Sequence, residues 1–488
     1  MPETPSCHEI ELKLELSPES AETLLASPVL GGACDDVEHH ALYFDTPDHS
    51  LRRARLTLRI RREGGDTIQA VKAGNGSAGL FARGEWELPV HGSEPVADGR
   101  SPVPALLGNR FAELAPMFAV PVTRRRCRIE RDGATIDLAL DRGTAVAGDR
   151  RTHFCEVELE LVAGPSGPLF ALARQIDAVV PVRIAVQSKA ERGYALLGDA
   201  PDAVHAAKVR LDPDADLAGT FAAVASACLK HYRLNEAILL NRPTPEAIHQ
   251  ARVALRRLRS AMTLFRGLLT GPEEAKLTNR LRKLARVLGA ARDLDVLSIR
   301  AEGALRDRLL AAREDAYAAL GARLDAAKTR RLPLDLVAWI AEGAWRSDPA
   351  TARLRETPLR VFAAAALDRL RRKVRKHGKD LAKIHPDARH DLRKDAKKLR
   401  YAVEFLAPLF ATEPETKTRK AFVKALRRLQ DDLGALNDRQ TAQERIAGFG
   451  LADTPEAERM LSGWDEAALL ADATEALRAF RRREPFWP

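Results

Sequence analysis

A chain of 488 residues, 45% of them hydrophobic and 30% charged, is too long for one ordinary core, which predicts two or three domains. It holds no run of about eighteen apolar residues, so no membrane-spanning helix is expected, and its start, MPETPSCHEIELK, lacks the basic and hydrophobic regions of a secretory signal. Five cysteines (Cys7, Cys34, Cys127, Cys155, Cys228) form no CxxC pair, which fits a reduced cytoplasmic protein better than a disulfide scaffold or a zinc site.

The net charge of +10 divides unevenly. Residues 1–200 hold 23 Lys+Arg against 29 Asp+Glu, net −6, whereas the remainder holds 55 against 39, net +16. The first part can gather cations and anions together, and the second attracts an anion. Charge alone leaves nucleic acid, polyphosphate and anionic lipid open.

The first element is the run Glu9 to Leu16, in which polar and apolar residues alternate, so a β-strand puts Glu9, Glu11, Lys13 and Glu15 on one face. Carboxylates in a row repel one another and need water, arginines or a divalent metal. Leu56 to Arg61 sets Thr57, Arg59 and Arg61 on one face, and Thr67 to Lys72 ends on Lys72. Phe81 to Leu88 carries Arg83, Glu85 and Glu87 at alternate positions, and Val120 to Glu130 carries Arg124, Arg126 and Arg128. Thr135 to Leu140 leads into Asp141, and a second acidic strand presents Glu156, Glu158 and Glu160. Repeated strands that alternate apolar with charged residues predict a closed or nearly closed antiparallel barrel with a charged, wet interior. Such an interior is stable only if its charges compensate one another or bind ligand and metal.

Glu9-Ile10-Glu11-Leu12-Lys13 resembles the ExExK signature of the CYTH family, the triphosphate tunnel metalloenzymes. The order of the later features is similar too, through Ser188-Lys189-Ala190-Glu191-Arg192-Gly193-Tyr194. The resemblance implies an eight-stranded β tunnel that binds a triphosphate with Mg²⁺ or Mn²⁺. Glu9 and Glu11, with one or two of Glu156, Glu158 and Glu160, are the implied metal ligands, because hard cations take carboxylate oxygens, and Asp141 either assists that site or holds a structural arginine. Catalysis is expected from Glu9, Glu11, Lys13, Lys72, Arg59 and Arg61. Arg124, Arg126, Lys189 and Arg192, with Glu85 and Glu87, are expected to bind substrate, since clustered cations stabilise charge that develops during phosphoryl transfer. The family covers inorganic triphosphatases, thiamine triphosphatases and a class of adenylyl cyclases. The last two need a clamp for an organic moiety, and Tyr43, Phe44, Trp86 and Tyr194 are the few candidate aromatics; their scarcity favours inorganic triphosphate.

Period-two alternation ends near residue 200. The turn-rich stretch 201–216 reads as a linker between a 1–200 domain and a helical 217–488 domain. Thr244 and Pro245 start a helix whose basic flank carries His249, Arg252, Arg256 and Arg259 beside a core-facing arc, with Arg257 also in the run. The pattern recurs 141 positions later as His390, Arg393, Lys397, Lys398 and Arg400. A second pair follows, Leu288-Gly289-Ala290-Ala291-Arg292-Asp293 and Leu433-Gly434-Ala435-Leu436-Asn437-Asp438. This internal duplication predicts a pseudo-symmetric helical bundle with both basic flanks on one groove, and Asp293, Asp295 and Asp438 are expected to position arginines. The two segments resemble the CHAD domain, a helical duplication that often follows a CYTH domain. That resemblance, clearest to about residue 440, implies inorganic polyphosphate binding by those ten residues and association with polyphosphate granules. The whole chain is therefore expected to be α+β: a metal-dependent hydrolase of phosphoric anhydride bonds, fused to a polyphosphate-binding bundle. A non-catalytic granule protein, a nucleic-acid binder and an adenylyl cyclase or thiamine triphosphatase are the alternatives. The basic half offers few aromatics to stack bases.

Overall fold

The structure, a computed structural model, describes all residues except 1–9, 32–33, 75–79, 82–83, 213, 379–380, 382–384 and 451. Glu9 and Arg83 thus lie outside the described residues. Two compact units divide the chain: Met1–Asp202 with Ala326–Glu342, and Ala203–Asp325 with Gly343–Pro488. The helix Leu332–Glu342 belongs to the first unit although it comes between helices of the second. Its Leu332, Leu334, Leu336, Val337, Trp339 and Ile340 are all buried, and a helix apolar on so many sides must be covered on several of them. Just before it, Arg330 (3.2 Å) and Arg331 both hydrogen-bond the buried carboxylate of Asp177.

The first unit is built on one antiparallel sheet of ten strands. They are β1 (Ile10–Glu15), β2 (Cys34–Asp45), β3 (Leu56–Glu63), β4 (Asp66–Ala73) and β5 (Leu80–Phe81), then β6 (Glu85–Pro89), β7 (Ala115–Arg131), β8 (Ala134–Ala147), β9 (Arg150–Ala163) and β10 (Arg183–Ile184). The hydrogen-bonded order is β10-β1-β9-β8-β7-β2-β3-β4-β6, with β5 on β1. This corrects the expected eight strands and closed ring, since among the described residues no ladder joins β6 to β1. Instead β5, just upstream of β6 in the chain, pairs with the start of β1 (Leu12 opposite Leu80).

Alternation sorts the two faces as the pleat requires. On one face Leu12, Leu14, Leu138, Leu140, Val157 and Leu159 are buried, with helix α1 (Gly167–Val179) packed on β8 and β9. Further round the same face, Phe44, Leu58, Ile60 and Val71 form a cluster with Leu51, Val103 and Leu107. The other face is apolar in one region, where Tyr43, Phe118, Val120 and Phe154 pack with Ala190 and Tyr194 of α2 (Lys189–Leu196). Its remainder is charged. Gly193 of α2 is there because a Cβ would overlap the Phe118 ring.

One cysteine expectation is corrected. Cys34 and Cys127 lie opposite each other in the β2–β7 ladder and form a disulfide. Their separation of 93 residues hides a proximity that only the strand register creates.

The second unit is helical. Its main elements here are α3 (Leu217–Asn241), α4 (Pro245–Leu264), α5 (Pro272–Arg300), α6 (Pro386–Leu406), α7 (Glu413–Gly448) and α8 (Glu466–Arg481). Thr244 caps α4 by accepting from the Ala247 N–H, and Pro245 sits in its first turn. One aromatic core joins Phe221 to Phe265 and Trp345 at 5.6 and 5.3 Å. Another joins Phe422 to Phe480 and Trp487 at 5.3 and 5.2 Å. The last forty or so residues thus seal part of the helical core. Among the described residues no helix is long and apolar enough to cross a membrane.

Candidate functional site

Strand register arranges the charged residues of the sheet in rows. Glu11 of β1 stands opposite Glu160 of β9, which stands opposite Asp137 of β8. The next row is Lys13 and Glu158. The third runs Glu15, Glu156, Asp141 and Arg124. Across β2, β3, β4 and β6 the same face continues with His39 opposite Glu63, Ala41 opposite Arg61, Tyr43 opposite Arg59, and Lys72 opposite Glu85.

The third row and its neighbours form a dense, buried ion network. Asp141, Glu156 and Glu158 place oxygens within 4.8 Å of one another. Into their midst α2 inserts Lys189, whose Nζ lies 2.7, 2.6 and 2.7 Å from Asp141, Glu156 and Glu158. Lys13 pairs with Glu158 and, at 3.0 Å, with Glu11. Arg124 grips Asp141 through two bonds of 2.6 Å and reaches Glu158 at 2.6 Å. Arg192 bonds Glu15 at 2.6 Å. Burial works against every one of these charges. For Lys189 the carboxylates of Asp141, Glu156 and Glu158 outweigh it and hold the ammonium well above its usual range. For Glu158 the cations Lys13, Lys189 and Arg124 outweigh it and hold the carboxyl well below. A buried cluster of this kind survives only because each member is paired.

The first row is different. Glu160 is half-buried, and burial first, then Glu11 and Asp137, push its carboxyl above the usual range. Like charges directly opposite each other in a ladder are destabilising; Lys13 at 3.0 Å offsets Glu11 and Arg128 at 2.7 Å offsets Asp137, and Glu160 is the member whose charge burial and its neighbours disfavour. Asp141, Glu156 and Glu158 are the carboxylates among the described residues whose oxygens lie close enough together to hold a metal ion, and Lys189 already supplies positive charge there.

Facing these carboxylates is a second group. Lys72 pairs with Glu85 at 2.7 Å, Arg59 lies 3.9 Å from Glu85, and Arg61 lies 3.7 and 3.9 Å from Glu63 and Glu87. Arg126 is half exposed and meets Glu63 at 3.0 Å. Arg124 is close enough to lower the proton affinity of Arg61, after burial and Arg59. The structure therefore brings Glu11, Lys13, Arg59, Arg61, Lys72, Glu85, Glu87, Arg124, Arg126, Lys189, Arg192, Asp141, Glu156, Glu158 and Glu160 to one face. Of the aromatics considered for an organic clamp, Phe44 and Trp86 lie on the opposite face. Tyr43 and Tyr194 are committed to Phe118, at 4.8 and 5.0 Å between ring centroids.

In the helical unit the duplication is realised as two equivalent ion pairs. Arg252 of α4 bonds Asp293 at 3.2 Å and the Gly289 carbonyl at 2.9 Å, and Arg393 of α6 lies 3.7 Å from Asp438 of α7. The Leu-Gly-Ala segments lie within the helices α5 and α7, and the aspartates that follow them, Asp293 and Asp438, orient arginines. Helices α4 and α6 are neighbours, and their basic flanks meet. Burial, then the Arg256 and Arg393 guanidiniums, pull Lys397 from the usual 10.5 down to about 6. Arg259 senses Arg282 and Arg256, after burial. Arg400 pairs with Glu404 at 3.2 Å. Burial, then Arg292, disfavour the charged form of His249, and His390 bonds Asn437 at 2.7 Å.

Two residues expected in the groove are placed elsewhere. Arg257 is buried, bonds Glu404 at 2.5 Å and stacks over Phe405 at 5.0 Å. Lys398, its counterpart in the repeat, pairs with Asp395 at 3.2 Å, and Asp395 also bonds His377 at 2.8 Å. Both follow a groove position by one residue, and about 100° of helix carries them off the flank. Conversely, a cavity of about 280 Å³ between α6, α7 and α8 is lined by Arg389, His390, Arg393, Asn437, Arg439 and Glu466. Glu466 bridges Arg439 at 2.6 Å and Arg389 at 3.5 Å. Arg389 and Arg439 align with Ile248 and Leu294 in the first repeat, so the duplication gives no signal for them.

A sheet domain with buried opposite charges on one face, joined to a duplicated helical bundle with a cationic groove, defines a two-domain class. Residues 8–194 match the CYTH domain and residues 223–447 the CHAD domain. The chain is a CYTH–CHAD fusion. It is 31% identical over 198 residues to an inorganic triphosphatase of Haemophilus influenzae, covering 38% of this chain and 54% of that protein, so the match spans about half of that relative's own length. It is 26% identical over 395 residues to an uncharacterized protein of Mycobacterium tuberculosis, covering 74% of each. Among solved structures, the CHAD domain of Ricinus communis is similar at 29% identity with a TM-score of 0.48, over 58% of this chain and 96% of that one. A Hippeastrum protein described as a putative adenylyl cyclase that reveals a dominant triphosphatase activity is similar at 19% identity with a TM-score of 0.30, over 38% and 95% of the two chains.

Proposed function

We propose that the sheet domain hydrolyses inorganic triphosphate to diphosphate and phosphate with Mg²⁺ or Mn²⁺, and that the helical domain binds long-chain polyphosphate. One observation carries the reading. Two facing carboxylates (Glu11, Glu160) share a face with a cluster of cations suited to phosphate (Arg59, Arg61, Lys72, Arg124, Arg126). Glu11 and Glu160 would hold the metal. When bound, it would supply a Lewis acid that lowers the pKa of water and neutralises phosphate charge. Arg59, Arg61, Lys72 and Arg124 would bind the phosphate oxygens and fix the chain in line, guanidinium forks taking two oxygens at once. Lys13 and Lys189 hold the surrounding carboxylates ionised and in place. Water adds to the terminal phosphorus, the bridging P–O bond breaks, and the diphosphate leaves with that oxygen. Commitment of Tyr43 and Tyr194 to the Phe118 cluster favours a bare phosphate chain over a nucleotide or thiamine ester.

In the helical domain, five cations (Arg252, Arg256, Arg393, Lys397, Arg400) face three carboxylates (Asp293, Asp438, Glu404), a surplus that a polyanion would neutralise. Attachment to polyphosphate granules follows from the same binding. The test is phosphate release from tripolyphosphate, long-chain polyphosphate, thiamine triphosphate and ATP, with and without each metal. The reading predicts metal-dependent release from tripolyphosphate that Glu11→Ala abolishes. Release that survives this substitution, or a preference for ATP or thiamine triphosphate, contradicts it.

A further inference from the structure

His39 is buried on the charged face of the sheet, yet nothing in the sequence marks it, because it lies in the polar run Asp35 to His40. Its place follows from register. In β2 it shares strand parity with Tyr43, stands opposite Glu63 of β3 and Val122 of β7, and neighbours the rows of Arg61 and Arg124. It is only 3% exposed, and among the described residues its Nδ1 has no hydrogen-bond partner. A buried polar atom left without a partner costs about 1–3 kcal/mol, so the site holds a polar group that the folded chain itself does not use.

The charges around the ring decide its form. Burial comes first, followed by Arg124 on β7, with Lys189 on α2 and Arg61 on β3 adding to it; Asp141 on β8 is the opposing carboxylate. Together they push the imidazole down to about 3. The ring is neutral at physiological pH and has one N–H to donate. A fourth cation at this point would be repelled by the other three, whereas a neutral donor adds a hydrogen bond without adding charge.

We propose that His39 is a substrate contact: its neutral imidazole donates a hydrogen bond to a non-bridging phosphate oxygen held by Arg61 and Arg124. The proposal rests on the triphosphatase reading above and adds a residue to it. The chemistry requires a donor, not a charge, so a side-chain amide can substitute for the ring and an isosteric hydrocarbon cannot.

The test compares His39→Gln with His39→Leu, reading KM and kcat for tripolyphosphate, calorimetric binding of tripolyphosphate without added metal, and thermal midpoint. Loss of a hydrogen bond to a charged group predicts that His39→Leu raises KM and the binding constant roughly tenfold or more. Its kcat should stay within about threefold, since the contact is made in the ground state and the transition state alike. Its thermal midpoint should hold or rise, because the substitution removes an unpartnered buried polar atom. His39→Gln should stay within about twofold of wild type in KM. A leucine variant that binds as wild type does, or a glutamine variant as impaired as the leucine one, overturns the proposal. Wild-type protein that neither binds nor hydrolyses tripolyphosphate sinks the triphosphatase reading itself, and the His39 contact falls with it.

Discussion

The two charged regions of this chain solve opposite problems. In the sheet, Asp141, Glu156 and Glu158 are matched by Lys13, Arg124 and Lys189 within contacts of 2.6–2.7 Å for the longer ones, and the Glu158 carboxyl is held well below, the Lys189 ammonium well above, its usual range. In the helical groove cations outnumber their partners, and Lys397 falls to about 6. A matched buried network makes a rigid scaffold that holds the facing carboxylates Glu11 and Glu160 in place. An unmatched surface stores repulsion that a polyanion relieves. The first is built for geometry and the second for electrostatic capture.

The comparison breaks most visibly at Lys189. Replacing it by methionine leaves three buried carboxylates short of a partner, and removal of one member of such a network costs about 3–5 kcal/mol. Chemical denaturation should show that loss together with loss of tripolyphosphate hydrolysis. A stable, active Lys189→Met protein would mean that the cluster is held by something other than this ammonium. Such stability would also move the metal assignment back towards Asp141, Glu156 and Glu158.

The groove should respond to pH where the sheet does not. Lys397 has a folded pKa of about 6 against 10.5 in the unfolded chain, so between those values the unfolded state binds the extra proton. Its contribution to stability therefore rises with pH through that window and is lost as pH falls towards 6. Bound polyphosphate raises the pKa of this ammonium, so binding takes up a proton above pH 6. Affinity for long-chain polyphosphate should weaken by roughly tenfold between about pH 6 and pH 9 as this linkage is lost. Lys397→Met should flatten that slope, as read by binding at constant ionic strength; an unchanged slope would place the titrating group elsewhere.

The smallest effect sharpens the boundary of the groove. Glu466 sits outside the CHAD match and places its carboxylate on Arg389 and Arg439. As a half-exposed pair it contributes little to stability, but it competes with an incoming phosphate. Glu466→Gln should tighten polyphosphate binding by about two- to fivefold at low salt, whereas Glu475→Gln, which frees Arg428 on the same helix, should not.

Much of this was legible in the sequence, for identifiable reasons. Strand parity is a strict rule, so the sharing of a face by Glu11, Lys13, Arg59, Arg61, Arg124 and Glu158 followed from alternation alone. Duplication located the groove, because chance does not repeat His390, Arg393, Lys397 and Arg400 at the spacing of His249, Arg252, Arg256 and Arg259. What parity does not carry is register. Only the ladders put Glu11 opposite Glu160, Cys34 opposite Cys127, and His39 beside the Arg61 and Arg124 rows. Nor does a local pattern report a side chain that arrives from another element, and so Lys189 was read as a phosphate ligand, while the structure sets it among three carboxylates. The repeat spacing also links Arg257 with Lys398, but spacing does not report direction, and one residue of helical rotation carries both off the flank.

The most direct test of the account is where a divalent ion binds. Crystals grown with tripolyphosphate and Mn²⁺ allow the ion to be located by anomalous scattering. The account predicts a peak beside Glu11 and Glu160, with the phosphate chain on Arg59, Arg61 and Arg124 and Lys189 still among Asp141, Glu156 and Glu158. A peak among those last three carboxylates with Lys189 displaced, or no ion on this face of the sheet, would contradict it.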